Sequence, residues 1–120
     1  MVIHSSFEDF LLFLYVHISK ADDSYDPKEL KTIEEKMKDL YPAGTDFEKK
    51  LYLAIRTYNT FDKTRIQELT IDSLQHFRGH ADKKLKVISD LFDIMNADGK
   101  VDEGERQSLN ELNKTINSYL

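Results

Sequence analysis

Two acidic segments, 76 positions apart, constrain this chain more than any other feature. Each follows an apolar stretch of helical period and precedes an Asp-led helix start: Ala21-Asp22-Asp23-Ser24-Tyr25-Asp26-Pro27-Lys28-Glu29, then Ala97-Asp98-Gly99-Lys100-Val101-Asp102-Glu103-Gly104-Glu105. Sliding one copy onto the other superposes Asp22 on Asp98, Asp26 on Asp102 and Glu29 on Glu105. Upstream, Leu11 meets Val87 and Leu12 meets Ile88; downstream, Ile33 meets Leu109 and Leu40 meets Ile116. The register breaks at Leu14, which falls on Asp90, and at Leu30, which falls on Arg106. A repeat of this form predicts two related helical hairpins.

The rest of the chain reads as helix throughout. Ser5 and Ser6, followed three residues on by Glu8 and Asp9, open a first helix with a capping box. Its stripe of Phe7, Phe10, Leu11, Leu14 and Ile18 is widened by Leu12, Phe13, Tyr15 and Val16 until nearly every side is apolar, which predicts a central, buried helix. Asp26-Pro27-Lys28-Glu29 opens the second, with Leu30, Ile33, Met37 and Leu40 inward, and Tyr41-Pro42-Ala43-Gly44 closes it. Thr45, with Glu48 three residues later, is the expected cap of a third helix carrying Phe47, Leu51, Ala54, Ile55 and Tyr58 inward. A fourth starts at about Asp62 and ends at Gly79, with Ile66, Leu69, Ser73 and Phe77 inward. A fifth starts near Asp82 with Leu85, Ile88, Leu91, Phe92 and Met95 inward. The last starts at about Glu103, with Leu109, Leu112, Ile116 and Leu120 inward. No segment alternates with a strand's period of two. The expected fold is all-α, one domain over residues 1–120, about six helices, with the first and second pairing with the fifth and sixth.

Composition narrows the function classes. The absence of cysteine removes disulfides, thiolate metal sites and cysteine catalysis. A net charge of −5 argues against general nucleic-acid binding, which rests on neutralising phosphates. No apolar run reaches the ~18 residues of a membrane span, and Phe10–Ile18 is preceded by Glu8 and Asp9 where a signal peptide is basic. The expectation is a cytoplasmic protein.

Two readings of the acidic segments stand side by side. Clustered carboxylates and turn carbonyls suit a hard divalent cation, Ca2+ first. Set against an EF-hand loop, Asp98, Gly99, Val101 and Glu105 fall on positions 5, 6, 8 and 12, but position 1 is Ile94 in this copy and Ile18 in the other. A working EF-hand pair is therefore not expected. On the other reading, Asp26/Glu29 and Asp102/Glu105 are helix caps, each worth about 1 kcal/mol, and the acidic face meets a protein partner. His76 and His80 have the spacing of two Zn2+ ligands on a helix, but Gly79 between them points to a helix end with surface histidines; His17 reads as a core-edge residue. No phosphate loop, nucleophile elbow or HExxH motif occurs, and no catalytic residue is assigned.

At its two acidic segments the chain resembles the TerB-like family, helical domains named from bacterial tellurite-resistance proteins. The layout extends over nearly the whole chain, with Asp23 standing where the clearer copy has Gly99. The resemblance implies an all-α fold of pseudo-twofold hairpins and a non-enzymatic module of tellurite and chemical-stress responses, working near the membrane through partners. It implies metal ligands at Asp22, Asp26, Glu29, Asp98, Asp102 and Glu105.

Overall fold

The structure, a computed structural model, describes residues 2–19, 27–97, 99, 101 and 103–120. Six α-helices follow one another: α1 (Phe7–Ser19), α2 (Pro27–Met37), α3 (Phe47–Thr60), α4 (Lys63–His76), α5 (Lys84–Met95) and α6 (Glu103–Tyr119), with a 3-10 segment, Arg78–Lys83, leading into α5. There is no strand among the described residues.

Helix α1 is the hub. The Ser6 hydroxyl accepts from the Asp9 amide at 3.2 Å, so the capping expected there forms. Ten of its 13 residues are buried. Such a helix cannot be amphipathic; it needs neighbours all round, and α2, α3, α5 and α6 supply them. Helix α2 buries Ile33 and Met37, with Leu30 and Leu40 packed at the edge of the core, and its exit turns at Gly44, whose φ of 88° favours glycine. Helix α6 buries Leu109, Leu112 and Ile116, and Leu120 beyond its end is buried too. Asp62 caps α4 by accepting from the Arg65 amide at 2.8 Å, and Ile66, Leu69, Ser73 and Phe77 are buried as expected.

Three expectations are corrected. The cap of α3 is Asp46, which accepts from the Lys49 amide at 3.1 Å, while the Thr45 hydroxyl, one residue earlier, donates to the Pro42 carbonyl. The α3 stripe is only half-covered, with no residue fully buried, because this helix lies on the outside of α1. The largest difference is in α5. Leu85 is 81% exposed and Phe92 55%, while Val87, Asp90, Leu91, Ile94 and Met95 are buried. Apolar residues cover more than half of this helix's circumference, so periodicity alone admits two inward faces. The core takes the one that contains Asp90.

The first and second helices do pack with the fifth and sixth. Positions 76 apart share burial where the repeat faces the core: Leu11 and Val87, Tyr15 and Leu91, Ile18 and Ile94, Ile33 and Leu109. No helix is long and apolar enough to cross a membrane, among the described residues.

Candidate metal centre

Of the six acidic residues implied as metal ligands, Glu29 and Glu105 are described, and Asp22, Asp26, Asp98 and Asp102 lie outside the described residues. Glu29 and Glu105 are each the third residue of their helix, α2 and α6. Both are buried, at 1% and 5% exposure. Burial of both copies is not something that cap spacing specifies. Carboxylates taken out of water need compensating charge or donated hydrogen bonds. The positive end of each helix supplies part of it. Within the second segment, Gly99 has a φ of 73° and its amide donates to the Asn96 carbonyl at 3.0 Å, a left-handed turn that fits the glycine found there. The two described candidates are both carboxylates, oxygen ligands of the kind that Ca2+ or Mg2+ takes more readily than a soft metal does.

The helices that lead into the two acidic segments are tied together just before they end. The Tyr15 hydroxyl on α1 donates to Asp90 on α5 at 2.7 Å. Tyr15 lies one turn before the last residue of α1, and Asp90 just over one turn before the last residue of α5. Asp90 is buried and also pairs with Lys86 on its own helix and, at 3.8 Å, with Lys36 on α2, which bonds Asp93 at 2.7 Å as well. Burial and the neighbouring Asp90 carboxylate together push the Tyr15 hydroxyl far above the usual tyrosine pKa, so it remains a donor at any physiological pH. The hydrogen bond from Lys36 to Asp93, chiefly, raises the pKa of that ammonium. Sequence reasoning missed this network, although its signal was present: Asp90 is where the repeat breaks against Leu14.

A second polar cluster sits at the other end of α1. Asp9 accepts from the Tyr41 hydroxyl at 2.7 Å and from Lys50 at 3.3 Å. Burial pushes its pKa up, but these two partners outweigh it and the net shift is downward. His17 Nδ1 lies 2.9 Å from the Tyr58 hydroxyl of α3, and burial holds its pKa below the usual histidine value. His80 is occupied by a parallel stack on Phe7, with ring centroids 4.3 Å apart, and His76 meets Phe77 edge-on. A hollow of about 180 Å3 opens beside His4, Asp9, Lys50 and Leu53; neither Glu29 nor Glu105 lines it.

A sequence model of the family described as "Tellurite resistance protein TerB" matches residues 8–118. No curated protein and no solved structure matches the chain.

Proposed function

The chain belongs to the TerB family, and on that premise we propose that it is a non-enzymatic, cytoplasmic module that binds a divalent cation, Ca2+ before others, in the response to tellurite and related chemical stress. The proposed ligands are Asp22, Asp26, Glu29, Asp98, Asp102 and Glu105. The observation that carries the reading is the burial of Glu29 and Glu105 at matching positions in the two repeats. A divalent cation is the strongest compensation available to clustered carboxylates, and binding it favours their ionised form. Such an ion would act structurally, fixing the two segments against the ends of α1 and α5.

A second reading, a metal-free interaction module whose acidic face meets a basic partner, is favoured by the capping aspartates of α3 and α4. Asp46 and Asp62 satisfy helix amides with no ion involved, and the acids of the two segments can do the same. Thermal unfolding in EDTA and then in Ca2+, Mg2+, Mn2+ or Zn2+ separates the two. An ion at about a hundred times its dissociation constant should stabilise by about 2.7 kcal/mol, a shift of several degrees in a domain of this size. The Asp98→Asn/Asp102→Asn double variant should lose that shift. No shift with any of the four ions would refute the cation reading and leave the capping one.

A further inference from the structure

The exposed side of α5 is an apolar stripe that no other described residue covers. Leu85 and Phe92, the most exposed large hydrophobic residues of this helix at 81% and 55%, are seven apart and so lie on one face, with exposed Ser89 between them and half-buried Ile88 at the edge. The repeat shows what such a face receives elsewhere in the molecule. The positions 76 earlier on α1 are Asp9, Phe13 and Val16, and there Phe13 and Val16 are buried to 1% and 0%. Helix α3 covers that side: the Tyr58 ring lies 5.7 Å from the Phe13 ring, and Lys50 reaches Asp9. A helix therefore seats on this face of the repeat in its first copy. In its second copy the seat is bare.

We propose that the seat on α5 is taken by α5 of a second copy of this chain, in an antiparallel, twofold-symmetric and weak dimer. The stripe is self-complementary. A twofold axis beside Ser89 sets Leu85 of one copy against Phe92 of the other and the reverse, with the small serine allowing close approach at the centre. Charge selects the antiparallel direction. Lys86 and Asp93 border the stripe on one edge, also seven apart, and remain about half exposed although each has a partner within its own chain. Antiparallel pairing brings the Lys86 end of one helix to the Asp93 end of the other. Parallel twofold pairing puts the two charged edges on opposite sides of the seam, where Lys86 and Asp93 do not meet. The antiparallel direction also pairs opposite ends of the two helix dipoles. A 12-residue helix is about 18 Å long and about 10 Å across, so one face of it offers on the order of 200 Å2, well short of the roughly 800 Å2 per partner of a standard interface. The association is accordingly reversible, with a dissociation constant on the order of 100 μM.

Sedimentation equilibrium from about 10 μM to about 1 mM brackets that value. The mean mass should climb from one chain toward two, and Leu85→Glu/Phe92→Glu should raise the dissociation constant about tenfold or more. Both residues are exposed, so the variant's melting temperature in dilute solution should equal the parent's, which separates lost pairing from lost folding. The absence of cysteine makes the geometry testable by mild oxidation of single-cysteine variants. Ser89→Cys should cross-link to itself, and Leu85→Cys mixed with Phe92→Cys should cross-link faster than either alone. A mass that stays at one chain up to about 1 mM overturns the proposal and leaves the stripe to another occupant. Faster cross-linking of Leu85→Cys to itself than to Phe92→Cys overturns the antiparallel pairing.

Discussion

Helices α1 and α5 are two settings of one repeated unit, and the difference between them lies almost entirely on one side. Toward the core they agree: Leu11, Tyr15 and Ile18 of α1, and Val87, Leu91 and Ile94 of α5, are all buried. On the outer side they part. Where α3 lies over α1, the sequence has Phe13, Val16 and His17; on the side of α5 that no described residue covers, it has Ser89, Phe92 and Asp93. The inner face of a repeated helix is set by the symmetry it shares with its partner, and the outer face by whatever the rest of the chain places there. Helix α3 follows the first hairpin and has no counterpart over the second among the described residues. The exposed Leu85 and Phe92 depart from the wet character of that side.

The largest test of this comparison removes bulk from one copy only. Phe13→Ala should cost about 3–5 kcal/mol in urea unfolding, by emptying the space between α1 and α3, whereas Ser89→Ala at the matching position of α5 should stay within about 0.5 kcal/mol. Equal effects would break the claim that the outer faces differ in environment. Next comes the contact at which the copies differ inside the core. Asp90→Ala strips the acceptor from the buried Tyr15 hydroxyl and should cost about 2–3 kcal/mol. The matching positions 76 away from that pair, Leu91 and Leu14, are both apolar and buried. Replacing Tyr15 and Asp90 together by Phe and Leu should therefore recover most of the loss, read as the coupling term of a double-mutant cycle.

The smallest of the three concerns protons. His4 and His17 are held below the usual histidine pKa by burial, with Asp9 pulling His4 partly back. The unfolded chain takes up protons near pH 6.5 that the folded chain refuses, so their contribution is complete above that pH and is lost as the pH falls toward 5. Each histidine contributes a slope of at most about 1.4 kcal/mol per pH unit. His17→Gln keeps a partner for Tyr58 and removes the titration, so its unfolding free energy should fall less steeply between pH 7 and 5. The matching position on α5 holds no histidine, which places this acid sensitivity on the α1 side. A slope unchanged in His17→Gln would remove His17 from that account.

Much of this architecture was legible in the chain. The six helices follow from apolar period and caps, and the burial of α1 from side chains that are apolar nearly all round. Asp62 marks the start of α4 in sequence and structure alike, whereas Thr45, which has the cap spacing with Glu48, sits one residue before the actual cap, Asp46, and bonds Pro42 through a turn the sequence does not display. The inward face of α5 was misjudged for a related reason. Leu91 and Met95 are buried as expected, but Leu85 and Phe92 are as hydrophobic as Val87 and Ile94, which take the inward places; the buried polar residue on that face, Asp90, finds its partner in Tyr15, 75 residues away. At the candidate site, spacing gives Glu29 and Glu105 as cap-position residues, and only the family resemblance implies them as ligands. Their burial is legible in neither, since spacing gives the position of a side chain along a helix and not what covers it.

The placement of α1 at the hub also bears on how the chain acquires its structure. This helix precedes the others in order of synthesis, yet two of the helices that enclose it, α5 and α6, come last. Its Phe, Leu and Tyr side chains must wait, wet, while more than sixty residues of α2, α3 and α4 and their connections are made. An all-helical protein is ordinarily a fast folder because its contacts are local; here the most apolar segment leaves the ribosome well before α5 and α6, which complete its cover. A nascent chain of this design is most exposed to aggregation, and most in need of a chaperone, before α5 and α6 have emerged.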